Sequence, residues 1–129
     1  ALRGMLLHAA DISNPAKPVS LSDKWTAFLT QEFFSQGDEE KRLGLPVSPL
    51  CDRETVKFAS SQVGFIQFIV RPTFDLFVGL LPKVEAVLLT ELTANLEAWE
   101  ARKEKDERAQ MPVKRAATTG SALHDEPID

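Results

Sequence analysis

The sequence predicts an all-α protein, a bundle of about five helices, and three observations carry that prediction. Apolar residues recur at spacings of three and four through most of the chain. No stretch alternates apolar and polar residues with strand period, and no internal repeat is present. The interruptions fall at proline and glycine clusters, Ser13-Asn14-Pro15 and Gly44 to Pro49, where helices stop.

The first helix reads from Leu2 to about Ile12, with Leu2, Met5, Leu6 and Ala9 on one face. Asn14 precedes a proline and is pushed out of the helical region, which ends the element. The second helix starts at Ser20 or Ser22, with Ser20 and Asp23 in a capping arrangement and Leu21, Trp25, Phe28, Leu29 and Phe33 as its apolar stripe. Its end lies near Gln36-Gly37-Asp38, and the charges from Glu39 to Arg42 can carry one turn more. Leu43 to Leu50 is a loop. Asp52 is expected to cap a third helix running to Arg71, where Pro72 should kink or break it. Thr73 to Leu81 makes a fourth piece, ended by Pro82. A last long helix follows, with Val84, Val87, Leu88, Leu92 and Trp99 as its apolar positions and a nearly all-charged end from Glu100 to Arg108. Residues 1–108 form the folded part, and 109–129 a disordered tail rich in small, polar and proline residues. Lys114-Arg115-Ala116-Ala117-Thr118 has the pattern of a basophilic kinase site, a weak signal beside an unmodified tail.

Composition narrows the function classes. With 129 residues the chain is one domain or part of one; 43% hydrophobic and 26% charged are ordinary for a soluble protein. Lys+Arg 15 against Asp+Glu 19 leaves a net charge of -4, with no basic stripe interleaved with aromatics, so nucleic acid is not an expected partner. The apolar run Val63 to Val70 is broken by Gly64 and Gln67 and is too short to span a bilayer, so direct membrane insertion is not expected either. Cys51 stands alone, cannot form an internal disulfide, and fits a reducing, cytoplasmic setting. The chain opens without an initiator Met and in mid-pattern, with no signal-peptide layout, so a piece of a longer protein is expected.

Two stretches carry polar groups where packing does not require them. In Ser61-Gln62-Val63-Gly64-Phe65, the amide of Gln62 shares a helix side with Phe58, Phe65, Ile66 and Ile69. Left unpaired in an apolar site, an amide costs about 1–3 kcal/mol. Periodicity alone favours a satisfied core amide; the sharper alternative is a pocket floor, where the amide reads the polar edge of a flat ligand and Phe65 stacks on its face. In His8-Ala9-Ala10-Asp11-Ile12-Ser13-Asn14-Pro15, Asp11 sits at the negative end of a helix dipole. It is either a solvated helix-end acid or a cation ligand, since a bound metal reverses the penalty. His8 can share its face, and Asn14 can be a plain turn former. No nucleophile elbow, phosphate-cradling glycine loop or paired-cysteine zinc pattern competes, and His8 and His124 alone cannot make a histidine metal site.

Taken in order, the two stretches just quoted, with Trp25-Thr26, Glu32-Phe33-Phe34-Ser35-Gln36-Gly37-Asp38 and Leu45-Pro46-Val47-Ser48-Pro49-Leu50-Cys51-Asp52 between them, resemble the class I cyclic nucleotide phosphodiesterases over roughly Leu2 to Leu92. The resemblance implies the C-terminal half of a larger all-helical catalytic domain. It implies hydrolysis of 3′,5′-cyclic AMP or cyclic GMP to the 5′-nucleotide by a hydroxide held on two divalent metals, Zn²⁺ with Mg²⁺ or Mn²⁺. Asp11 matches a metal ligand and Gln62 the glutamine that hydrogen-bonds the purine. Phe65 matches the aromatic side of the clamp on the base, and Leu29 its aliphatic side. Asn14 and Phe33 match pocket-lining positions, Trp25 less directly. The family's His-Asp metal motif, its remaining metal histidines and its leaving-group histidine are not in this sequence, so the isolated chain is expected to be inactive. Regulatory domains are expected outside this segment. The alternative is a non-catalytic helical module that binds purines or a protein partner.

Overall fold

A computed structural model describes residues 2–110. Five α-helical segments appear: α1 (Leu2–Asp11), α2 (Val19–Arg42), α3 (Phe58–Phe65), α4 (Arg71–Leu80) and α5 (Glu85–Gln110), with no strand among the described residues. A π-helix, Ile66–Val70, joins α3 to α4 without a break, so the five segments form four rods. Short 3₁₀ turns, Asn14–Ala16 and Pro82–Val84, precede α2 and α5. The helix α5 continues to Gln110, past the boundary expected at residue 108. The tail from residue 111, with its candidate kinase site, lies outside the described residues.

A kink or break is expected at Pro72, and the helix passes through it without a break. A proline inside an α-helix leaves the carbonyl four residues earlier without its N–H and crowds it with the ring. Here the turn before it is widened: the Arg71 N–H bonds to the Ile66 carbonyl, five residues back, and Pro72 falls in the opening turn of α4. The Thr73 hydroxyl also donates to the Ile69 carbonyl at 2.9 Å. A π turn takes more residues per revolution than an α turn, so it shifts the phase of everything after it. Ile66 and Val70 are both fully buried, whereas Ile69, expected beside Gln62, is 47% exposed. The resulting rod, Phe58–Leu80, is longer than the apolar run read in the sequence and has the length and composition of a membrane-crossing helix, as a core helix can too. Its inward face is a protein core: Ala59, Val63, Ile66, Val70, Phe74 and Phe77 pack with Leu92 and Trp99 of α5.

The second correction concerns α2. Part of its expected apolar stripe points outward: Leu21, Trp25 and Phe28 are exposed, while Ser22, Thr26 and Gly37 are buried, and Leu29 and Phe33 face a cavity. Small residues let α2 lie close to its neighbours, and the Ser22 carbonyl and the Thr26 hydroxyl accept hydrogen bonds there. The Asn14 amide nitrogen donates to Thr26 Oγ1 at 3.1 Å. The Ser20–Asp23 cap does not form; α2 starts after Pro18 with no side-chain cap. The Asp23 carboxylate instead takes both Arg102 nitrogens, at 2.7 and 2.8 Å, and the guanidinium stacks 4.3 Å from the Trp99 ring centroid. This forked contact pulls the Asp23 carboxyl below its ordinary range, against a smaller opposing effect of burial.

Gly37 explains how the loop that follows reaches its place. A β-carbon there would lie 2.0 Å from the Cys51 carbonyl oxygen, so only glycine lets the loop rest on α2. Glu40 ties the loop further, accepting from the Ser48 N–H at 2.7 Å and its hydroxyl at 2.6 Å, and Lys41 pairs with Asp52 at 2.7 Å. Asp52 does not cap α3. Its side chain takes the Glu54 N–H at 3.1 Å and its carbonyl takes the Val56 N–H, closing a turn well before the helix begins at Phe58. In α5, Val87 is exposed, and the position buried between Leu92 and Trp99 is a polar one, Asn95.

Candidate functional site

The end of α1, the 3₁₀ turn, the middle of α2, the loop and α3 meet around one cavity of about 240 Å³. Asp11, Ile12 and Asn14 come from the first connection, Leu29 and Phe33 from α2, Leu50 from the loop, and Ser61, Gln62 and Phe65 from α3. Six of the seven residues singled out in the sequence therefore line a single hollow. The seventh, Trp25, lines an adjoining cavity of about 320 Å³ with Ala10, Ser13 and Lys17; the two cavities share Asp11, Asn14 and Leu29. Two roomier hollows, about 550 Å³ along Val47 to Ser61 and about 640 Å³ beside Arg71 and Lys83, gather no comparable mix of aromatic wall and free amide.

Gln62 distinguishes the first cavity. The residue is 9% exposed, yet its amide is not among the buried side-chain atoms left without a partner, which among the described residues are Asn14 Oδ1 and Asn95 Oδ1, so the amide group opens onto the cavity. A core glutamine kept for structure would be paired. Most of the cavity wall is apolar (Ile12, Leu29, Phe33, Leu50 and Phe65), with Asp11, Asn14 and Ser61 as further polar residues, which suits a flat ring carrying a few polar atoms at its edge. Asn14 adds a second polar feature: Nδ2 is held by Thr26 and Ser22, while Oδ1 is buried and unpaired.

Leu50, Ile12 and Ser61 were not singled out by sequence reasoning. Leu50 carries a backbone signature: at φ 68° it is the only non-glycine residue in the left-handed region among the described residues. Strain of this kind costs about 1–3 kcal/mol and persists where the surroundings impose it. Here the close seat of Cys51 on Gly37 fixes the neighbouring backbone and turns Leu50 into the cavity.

Asp11 is exposed at the end of α1, and among the described residues no group of three or more His, Cys, Asp or Glu side chains gathers anywhere to hold a metal ion. One carboxylate does not hold two divalent ions, so the described residues do not by themselves fit a metal pair, and no chemical step is assigned to them.

An all-helical chain with a mostly apolar cavity, an amide on its floor and an aromatic beside it defines a small-molecule site suited to a planar heterocycle. Residues 1–92 match the 3′,5′-cyclic nucleotide phosphodiesterase family, to which the chain belongs. It is 44% identical over 119 residues to the human dual specificity calcium/calmodulin-dependent 3′,5′-cyclic nucleotide phosphodiesterase 1C, covering 91% of this chain and 17% of that protein. Among solved structures it resembles the phosphodiesterase domain of the Salpingoeca rosetta rhodopsin phosphodiesterase, with TM-score 0.73 and 34% identity over 82% of this chain and 32% of that one. It also resembles LmjPDEB1 in complex with IBMX, with TM-score 0.69 and 33% identity over 78% of this chain and 30% of that one.

Proposed function

We propose that the cavity holds the purine of a 3′,5′-cyclic nucleotide and that the protein to which this chain contributes hydrolyses that nucleotide to the 5′-monophosphate. The observation that carries the reading is the amide of Gln62, a residue only 9% exposed, opening onto the same cavity as Phe65 and Leu29. Phe65 supplies an aromatic face and Leu29 a branched aliphatic one for the base. Opening onto the cavity, the Gln62 amide can present donor or acceptor to either purine edge, which fits acceptance of cyclic AMP and cyclic GMP alike. Phe33 and Asn14 complete the pocket, and Trp25 borders its outer part. Asp11 serves as one ligand of a divalent metal pair, Zn²⁺ with Mg²⁺ or Mn²⁺, whose other ligands lie outside the described residues. The protein is cytoplasmic on this reading, with regulatory domains elsewhere.

The test has two arms. Calorimetry of the 129-residue chain with cyclic AMP and cyclic GMP should show binding that Gln62→Ala weakens by about tenfold, the loss of roughly one hydrogen bond to the base. Unchanged affinity in that variant would remove the purine assignment. The metal-supplemented chain should not turn over cyclic nucleotide; appreciable hydrolysis would refute the division of labour between Asp11 and ligands elsewhere. Binding without hydrolysis in the longest natural polypeptide containing this chain would favour the non-catalytic purine-binding module, a reading consistent with the lone carboxylate at the described site.

A further inference from the structure

One of the two most deeply buried polar residues, beside Ser22, is not in the cavity. Asn95 of α5 is 1% exposed and lies beyond the segment matched to the family, which ends at residue 92. Its Nδ2 reaches three carbonyl oxygens: Lys17 at 2.7 Å, Pro15 at 2.9 Å and Glu91 at 2.9 Å. An amide nitrogen has two hydrogens, so the three acceptors share them. The glutamate carbonyl belongs to the same helix, but the other two belong to the 3₁₀ turn and its exit, about eighty residues away in sequence.

That turn carries Asn14, which lines both cavities. It is gripped from two sides. On one, the Asn14 amide donates to Thr26 Oγ1 and the Ser22 carbonyl of α2. On the other, Asn95 pulls the carbonyls of Pro15 and Lys17 onto α5. The amide of Asn95 cannot be reversed without setting its oxygen against three carbonyl oxygens, so its donor direction is fixed by what it grips. Pro15, itself buried, has no N–H of its own with which to anchor the turn.

We propose that Asn95 is a positioning residue for base recognition: acting through the Pro15 and Lys17 carbonyls, it sets where Asn14, and Asp11 just before it, stand in the cavity. The inference rests on the reading of that cavity as a purine site. It needs no contact between Asn95 and ligand, and none is present, since Asn95 lines neither cavity.

Asn95→Asp keeps the volume and turns the donor into an acceptor facing three oxygens. Leu92→Ala, at a position also 1% exposed on α5, lowers stability without removing a hydrogen bond to the turn and serves as control. Gln62→Ala reports on the pocket itself. Two readouts are taken on the full chain at matched global stability. Hydrogen exchange at the Ala16 and Lys17 amides, which close the turn onto Ser13 and Asn14, should quicken about tenfold in the aspartate variant relative to Leu92→Ala, as for loss of a hydrogen bond. The calorimetric Kd for cyclic AMP should rise about tenfold in Asn95→Asp and stay at the wild-type value in Leu92→Ala. Equal exchange in the two variants overturns the proposal. So does faster exchange with an unchanged Kd while Gln62→Ala still weakens binding, an outcome that leaves the purine site standing. A Kd untouched by Gln62→Ala removes the purine site instead, and exchange alone then decides whether Asn95 sets the turn. If the aspartate variant does not fold, Asn95→Ala is read by the same two measurements.

Discussion

Adding one methyl group at Gly37 should cost this protein both stability and ligand affinity. In the middle of a helix, glycine to alanine ordinarily stabilises by about 1 kcal/mol, because alanine loses less backbone entropy. At Gly37 the new β-carbon would stand 2.0 Å from the Cys51 carbonyl oxygen and 2.7 Å from its carbonyl carbon. Both atoms are backbone and cannot swing away as the end of a side chain can. Ordinary contact needs about 3.4 Å or more, so the loop must lift by well over an ångström. Overpacking typically costs about 1–3 kcal/mol, and displacement of main chain belongs at the upper end. Subtracting the helical gain leaves a net loss of about 2 kcal/mol. For a domain of this size that is a fall of roughly 10 °C in Tm. The lifted loop also carries Leu50, so the cavity loses one wall and cyclic nucleotide binding should weaken with it. Gly4→Ala and Gly79→Ala are internal controls, because a β-carbon at either position meets nothing within 4 Å. Scanning calorimetry of the three variants checks the argument. A Gly37→Ala protein as stable as the wild type, or one that gains like the controls, would refute the claim that this glycine is there for close approach.

Two further outcomes can be checked. Gln62→Leu removes an amide that opens onto the cavity and should raise stability by up to about 1 kcal/mol while abolishing base recognition; a stability loss in urea titrations would mean that the amide is structural after all. The Asp23–Arg102 pair sets part of the acid response. The Asp23 carboxyl is held below its ordinary value of 3.8, so the stability it contributes is present at pH above that value and is lost as pH falls through the lowered folded value. Glu40 and Asp52 are also held low, by Ser48 and Lys41 respectively, and share the effect. Asp23→Asn should therefore flatten only part of the fall in urea midpoint between about pH 5 and pH 2, and the effect is modest because the pair is more than a third exposed. An acid profile identical to the wild type would show that the pair adds nothing net.

The helices were readable because three-and-four spacing of apolar residues survives in every rod, and the cavity residues because they stand in ordered short motifs. What escaped has a common origin in contacts between distant segments. The stripe of α2 has the right period, yet period does not say which side faces the rest of the chain. Ser22 and Thr26 are buried because Asn14 sits opposite them, and Gly37 because Cys51 does. The start of α3 was placed too early because an aspartate before an apolar run reads as a cap, while Asp52 is taken by Lys41 and a local turn. Pro72 reads as a kink or a break because those are a proline's usual effects inside a helix; the π turn that absorbs it has no sequence marker of its own. Asn95 was missed because its partners lie far away in the chain, at the start of the fold.

The π turn has a consequence for how this protein can change over time. Upstream of Ile66, α3 carries two obligations: Gln62 and Phe65 face the cavity, while Ala59 and Val63 pack in the core with Leu92 and Trp99. Downstream of Val70, Phe74 and Phe77 are committed to α5. A uniform α-helix would fix the downstream contacts in the phase that α3 sets. The wide turn lets Phe74 and Phe77 meet the core in a phase of their own. Cavity positions on α3 can then change by substitution without resetting how α4 is seated, although Ala59 and Val63 hold α3 itself to α5.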